Sequence, residues 1–459
     1  MIFMSFAVSY TSEKSRTKMN YKSYTRHNFT ELPQISNLSS EQIEAIRVVG
    51  NVLPFKSNNY VVEQLIDWNN IPDDPIFTLT FPRKEMLSKQ HYDKVTNLLQ
   101  SGADPRVVKN EINKIRLKLN PNPAGQESNI PLFEGEKLHG IQHKYRETVL
   151  FFPSQGQTCH AYCTFCFRWP QFTGMSELKF AMKEAALLHK YLLKHPKVSD
   201  VLFTGGDPLT ANARILSAYI EPLLSKEFSH IQNIRVGSKS LAYWPYRFLT
   251  DKDADDLLFL FEKVNRAGKH LAFQAHFNHP DELMTDAVRR AIERIRNTGT
   301  QIRTQSPLLR NINDNPETWS KMWKEQVRLG LVPYYMFVAR DTGSKAFFEV
   351  PLARAWNIFR KAYTNVSGIA RTVRGPSMSC GPGKVQVLGV AEVKGEKVFV
   401  LRFLQCRNPH LVDVPFFAKY SASATWFDDL KPAFGEKEFF FEEEKLPGKG
   451  DRGSTFLWE

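Results

Sequence analysis

Three of the five cysteines in this 459-residue chain fall within eight residues, Cys159-His160-Ala161-Tyr162-Cys163-Thr164-Phe165-Cys166, just after a strand-like run, Thr148 to Pro153. Thiols at that density are metal ligands by type. Three thiolates can hold three corners of a cubane iron-sulfur cluster, and the missing fourth leaves one iron open to an exogenous ligand. A structural zinc site wants four protein ligands, whereas Cys380 and Cys406 lie more than 200 positions downstream and form no CxxC pair. His160 is the other candidate to complete a Cys3His set, although a residue next to a ligand in a tight loop usually points away from the ion. Zinc remains the alternative to iron on these grounds.

Such a loop must be carried by rigid elements. From Glu147 onward, short β-branched or aromatic runs alternate with amphipathic windows. Strands are predicted to begin near Thr148, Val201, Ile234, His270, Gln301 and Leu331. Helices are predicted over 182–194, 214–224, 253–267, 281–297 and 318–328, with a last one over 352–363. Six such units predict a parallel sheet with helices outside, and they are too few for a regular eight-stranded barrel. The expected fold is therefore α/β, a partial (β/α)6 barrel. Its chemistry would sit on the loops after the strands, which puts the cysteine loop and Gly205-Gly206-Asp207 on one rim. Adjacent glycines let a backbone approach a ligand closely, with a plain tight turn as the other reading.

The flanks are read more coarsely. Ser40 is read as the cap of a helix over Glu41 to Val49 with apolar residues on one face, and two further helices are predicted over 87–99 and 107–119 before the Asn120-Pro121-Asn122-Pro123-Ala124-Gly125 linker. Runs at 385–390 and 397–404 alternate like a hairpin, and the charged, aromatic stretch 426–459 has no assignable pattern. No run of eighteen apolar residues exists, so no membrane-spanning helix is expected. Met1 to Val8 is apolar but short and lacks a basic flank, so no secretory signal is expected; residues 1–18 read as a loose extension. An odd number of cysteines, mostly clustered, fits a reducing compartment, and the cytoplasm is the expected location. The net charge of +13 is dispersed among 48 acidic residues without a basic run, so no nucleic-acid partner is expected. A basic pocket for anionic cofactor groups is the functional reading of that charge; a solvated basic surface is the bland one.

The CxxxCxxC spacing with Phe165 before its last cysteine resembles the signature of the radical S-adenosylmethionine (SAM) superfamily. Arg168, Thr204 to Leu209, Val236-Gly237-Ser238, His276 to Pro280, Gln305 to Arg310 and Pro333-Tyr334-Tyr335 follow in the order and spacing of the lysine 2,3-aminomutase family, which the chain resembles over residues 130–385. The resemblance implies the same barrel and a 4Fe-4S cluster on Cys159, Cys163 and Cys166, with SAM chelating the open iron. It implies that Gly205, Gly206 and Asp207 receive the methionyl amino group, that Phe165 lies beside the adenine, and that His276 and Gln305 add to the SAM site. A small amino acid substrate, an electron donor such as flavodoxin or ferredoxin, and an isomerase reaction follow from it. A homo-oligomer is compatible with it. The expected organisation is an extension at 1–18, a helical region at 19–125, the radical SAM core at 126–385 and a C-terminal extension at 386–459.

Aminomutases of this family also use pyridoxal 5'-phosphate (PLP). The resemblance implies that Lys384, after the turn Cys380-Gly381-Pro382-Gly383, is the Schiff-base lysine, and that Tyr145 lies near the pyridoxal ring. Arg168 corresponds to the arginine that clamps the substrate carboxylate. Lysine-specific members hold the distal ammonium with two aspartates, whose places, counted without gaps, are taken here by Arg340 and Ser377. A one-residue slip onto Asp341 would restore one of the two. The expectation is a 2,3-aminomutase acting on glutamate or another non-basic amino acid. The alternative is a radical SAM enzyme of the same family that works without PLP on another small molecule, a peptide or a protein.

Overall fold

The computed structural model describes residues 18–121, 128–175 and 180–443. All but the last residue of the expected extension, most of the Pro-rich linker and the end of the tail lie outside them. One eleven-stranded sheet carries the fold. Its parallel part runs in chain order through β1 (Thr148–Phe151), β2 (Asp200–Phe203), β3 (Asn233–Ser238), β4 (His270–His276), β5 (Gln301–Leu308), β6 (Val332–Val338) and β7 (Arg374–Ser379). The first six begin within one residue of their predicted starts. In β5 the period of two is plain: Ile302, Thr304, Ser306 and Leu308 are buried, while Gln301, Arg303, Gln305 and Pro307 occupy the less buried face.

The seventh parallel strand is the addition that sequence reasoning did not supply. Arg374-Gly375-Pro376-Ser377-Met378-Ser379 is poor in strand-forming residues. It is extended because β6 flanks it on one side and β8 (Gly383–Val393) on the other. Gly375 is needed there, since a Cβ would stand 2.7 Å from Met336 Cβ and O. The predicted hairpin is β8 with β9 (Glu396–Cys406), and β10 (Pro415–Lys419) completes that edge. At the other edge, strand Ile141–Tyr145 pairs antiparallel with β1. Lys144 Nζ nevertheless donates to the Cys380 carbonyl at 2.5 Å, beyond the end of β7, so the sheet is rolled far enough for its ends to meet. Among the described residues no strand pairing closes the ring, and the architecture is an open, partial α/β barrel.

Six helices follow the strands at 185–194, 213–220, 254–266, 286–297, 316–328 and 352–364. The N-terminal region contributes α1 (Ser40–Val52), α2 (Pro75–Thr80), α3 (Lys89–Gln100) and α4 (Pro105–Leu119). Ser39, not Ser40, caps α1, in a capping box with Gln42. These helices share one apolar core with the barrel, from Tyr24 to Val373. The C-terminal strands and a phenylalanine cluster form a second core that meets the barrel at Val338 and Met378. Among the described residues no helix is long and apolar enough to cross a membrane.

Candidate functional site

The cysteine loop leaves β1 and is clasped by the N-terminal region. Tyr162 N donates to the Lys56 carbonyl at 2.7 Å and Thr164 N to the Leu79 carbonyl at 2.9 Å, while Thr164 Oγ1 reaches the Thr78 carbonyl at 2.7 Å. Lys56 Nζ and Asn58 Nδ2 hold the Cys159 and His160 carbonyls at 2.8 and 3.1 Å. The loop's backbone groups are thus satisfied by residues about a hundred positions upstream. All three cysteines are free. Burial pushes the Cys163 thiol up to about 12 and raises those of Cys159 and Cys166; Asp207 and the two neighbouring thiols raise Cys159 further. Neutral, mutually close thiols of this kind are deprotonated when a metal takes them.

His160 does not belong to that donor set. Its Nδ1 lies 3.0 Å from Ser240 Oγ and its ring stacks against Trp244. Among the described residues no three His, Cys, Asp or Glu side chains already converge at ligand distance. The donors on offer are three free thiols without a fourth, which suits a cluster with one open iron better than structural zinc.

On the neighbouring loop, the close approach that the glycines allow is to the chain itself. A Cβ on Gly206 would stand 2.5 Å from the Thr158 carbonyl, and Asp207 N donates to that same oxygen at 2.7 Å. The buried Asp207 carboxylate accepts from Leu209 N at 3.0 Å and from Ser238 Oγ, Lys239 N and Ser240 Oγ, each at 2.9 Å. Asp207 thus meets the cysteine loop through its backbone N–H and the loop after β3 through its carboxylate. Phe165 packs edge-on to His276 at 5.7 Å, and Gln305 is the register neighbour of His276 on β5. Burial and then Lys239 hold His276 well below the usual imidazole range, so its ring is neutral.

Beyond the last cysteine, Arg168 is buried, its guanidinium 4.4 Å over Phe152 and 5.0 Å from Phe167, and Nη1 has no hydrogen-bond partner. Burial lowers its pKa to about 10 against the opposing pull of Cys166. Arg340 comes to the same Phe167 ring at 5.6 Å, with Trp426 at 5.4 Å. Its Nη1 donates to the Ser379 carbonyl at 3.0 Å, and its buried Nε makes no hydrogen bond, lying 3.7 Å from the Asp341 carboxylate. Ser377 stands apart from this group: it is fully buried and its hydroxyl points back to the Met336 carbonyl at 3.4 Å.

Lys384 is the second residue of β8 and extends over the Tyr335 ring, Nζ 4.3 Å from its centroid. Burial lowers its pKa to about 8, with Arg235 and Arg374 adding to the shift and Tyr334 opposing it. Tyr145 is buried with an unpartnered hydroxyl. Two cations that sequence reasoning left unassigned lie close by. Lys144 is lowered to about 7, chiefly by burial, and Arg407 donates to Asn129 Oδ1 at 2.5 Å while lying near Tyr145. The adjacency of Lys144 to Tyr145 was the available signal for the first; for Arg407 there was none.

No family model matches the chain. Among curated proteins, it is 31% identical over 407 residues to a protein of Aquifex aeolicus (strain VF5) named "Putative L-lysine 2,3-aminomutase", covering 88% of this chain and 95% of that one. A second protein of that name and organism is 26% identical, covering 81% and 88%. The L-lysine 2,3-aminomutase of Bacillus subtilis (strain 168) is 24% identical, covering 76% and 63%. Among solved structures, a radical SAM methyltransferase from Sphaerobacter thermophilus aligns over 51% of this chain and 68% of its own, at 15% identity and a TM-score of 0.36, too distant a likeness to carry an argument.

Proposed function

From a chain that belongs to the lysine 2,3-aminomutase family of radical SAM enzymes, we propose an amino acid 2,3-aminomutase that uses PLP and whose substrate is not lysine. Bound at this rim, a 4Fe-4S cluster with SAM supplies reductive generation of a hydrogen-abstracting radical, and PLP supplies a conjugated acceptor that stabilises an unpaired electron as nitrogen migrates. An external reductant and a small-molecule substrate belong to the same family assignment.

The chain's own residues would divide the work. Cys159, Cys163 and Cys166 would hold iron. Gly205, Gly206 and Asp207 would fix the rim against the cluster loop, Phe165 would line the SAM site, and His276 and Gln305 would complete it. Lys384 would carry PLP beside Tyr145. A ligand anion would find Lys144 and Arg407 close to Tyr145, and the unpartnered Tyr145 hydroxyl and the lowered Lys384 amine support the fit.

The observation that carries the substrate assignment is a pair of buried guanidinium nitrogens that make no hydrogen bond among the described residues, Arg168 Nη1 and Arg340 Nε, both guanidiniums lying near the Phe167 ring. Arg168 would clamp the α-carboxylate and Arg340 would meet the distal group. A distal ammonium facing Arg340 would meet like charge, at a cost of about 1 kcal/mol in a wet site and several in a dry one. Asp341 beside Arg340 offsets part of that charge, and Ser377 would shape the sheet behind the pocket without touching the substrate. Glutamate or a neutral amino acid suits this arrangement. The test is a panel of L-amino acids offered to anaerobically reconstituted enzyme with SAM, PLP and a reductant, with β-amino isomers quantified by mass spectrometry. Turnover of glutamate or neutral residues is expected, and efficient turnover of lysine alone would refute the assignment.

A further inference from the structure

Behind the cysteine loop stands a phenol that no role above uses. Tyr243 ends the short helix Ser240–Tyr243 after β3, is 1% exposed, and has its hydroxyl oxygen 3.7 Å from Cys163 Sγ. That contact is the one hydrogen bond of the hydroxyl among the described residues. The residue is held tightly: Tyr243 N donates to the Lys239 carbonyl at 2.9 Å, and Asn58 Nδ2 donates to the Tyr243 carbonyl at 3.0 Å. The ring is covered by Lys239 Nζ at 4.3 Å from its centroid. Lys239 is itself fixed by Glu282 Oε1 at 2.6 Å and Asn278 Oδ1 at 2.8 Å.

In the free chain the thiol of Cys163 donates to the Tyr243 oxygen. Iron ligation removes the thiol proton, and a thiolate sulfur can only accept. The same contact is then available in one direction, with the phenol as donor. We propose that the Tyr243 hydroxyl donates a hydrogen bond to the Cys163 sulfur of the bound cluster and raises its reduction potential. The donor withdraws charge from the sulfur, which favours the reduced, more negative cluster, and hydrogen bonds to ligand sulfurs are a principal control of such potentials. The Lys239 cation over the ring strengthens the phenol as a donor, and Glu282 limits that effect by neutralising it.

The inference rests on the cluster assignment, and its test separates the two. Wild type, Tyr243→Phe and Glu282→Gln are reconstituted anaerobically, assayed for iron, and titrated by EPR-monitored reduction. Wild type is expected to bind about four irons per chain. Tyr243→Phe, which keeps the ring, is expected to bind as much iron but to lower the ratio of reduced to oxidised cluster about tenfold at a fixed applied potential, a shift of 59 mV for one electron. It should also lose one exchangeable-proton coupling in pulsed ENDOR of the reduced cluster. Glu282→Gln, which leaves Lys239 unneutralised behind the ring, should move the potential the other way. A Tyr243→Phe cluster with wild-type potential and couplings overturns the proposal, as do two variants that take up no iron. A wild-type chain that takes up no iron instead overturns the cluster assignment.

Discussion

Shifting the pH from 7 to 9 before adding PLP and borohydride should change the yield of covalent adduct on Lys384 in a way that an ordinary lysine cannot match. With the amine lowered to about 8, roughly a tenth of it is neutral at pH 7 and roughly nine-tenths at pH 9. A lysine of ordinary pKa is neutral to about 0.04% at pH 7, so Lys384 holds an advantage of about 200-fold there and about 25-fold at pH 9. Ionisation alone would favour Lys144, lowered to about 7, but Lys144 Nζ donates to the Cys380 carbonyl at 2.5 Å. Lys384 Nζ lies over an aromatic ring, with no hydrogen bond to hold it among the described residues. Peptide mapping by mass spectrometry after short incubations should place the adduct on Lys384, with a yield rising about ninefold and a midpoint near pH 8. An adduct on Lys144, a midpoint above pH 10, or undiminished trapping in Lys384→Ala would refute the reasoning; no adduct at any lysine would favour a radical SAM enzyme that works without PLP. The same shift has a stability counterpart. Between about pH 8 and the unfolded value near 10.4 the unfolded chain binds the proton that the folded chain has released, so stability rises with pH in that window, by at most about 3 kcal/mol.

Other residues give sharper single outcomes. Tyr145→Phe removes a buried hydroxyl that has no partner, and should stabilise the ligand-free protein by about 1 kcal/mol in urea denaturation while weakening retention of PLP. Arg168→Lys replaces a fork by a point charge, and should raise the substrate KM by about tenfold or more while iron content stays unchanged. Asp207→Ala strands four donors on the rim and should destabilise the protein by about 3 kcal/mol or more; a loss under about 1 kcal/mol would show that the carboxylate is not the tie between the rim loops.

The six predicted strands were legible because each sets β-branched, aromatic or aliphatic residues at alternate or consecutive positions, the pattern of a sheet with at least one buried face. The seventh was not, because its Gly, Pro and Ser residues extend only when neighbours on both sides hold them. The cysteine loop stood out by residue type, while its clasp by Lys56, Thr78 and Leu79 did not, since nothing local pairs positions so far apart. Counting along the chain could not tell which way the Ser377 hydroxyl turned, because that depends on the neighbouring strand that carries Met336. Lys144, Arg407 and Trp426 meet their neighbours Cys380, Asn129 and Arg340 only through contacts between distant parts of the chain, which no window of sequence contains.

β8 carries Lys384 as its second residue and continues as one arm of the long C-terminal hairpin, so one strand both presents that amine and forms the spine of the extension. The extension therefore cannot breathe apart from the barrel. Any opening that separates β8 from β7 carries Lys384 with it, which makes local unfolding at the C-terminal edge and displacement of that amine one event. In hydrogen-exchange terms, the amides of β8 should open with the barrel's edge, and a trimming of the chain that reaches β9 should be felt at Lys384 before it is felt at the cysteines.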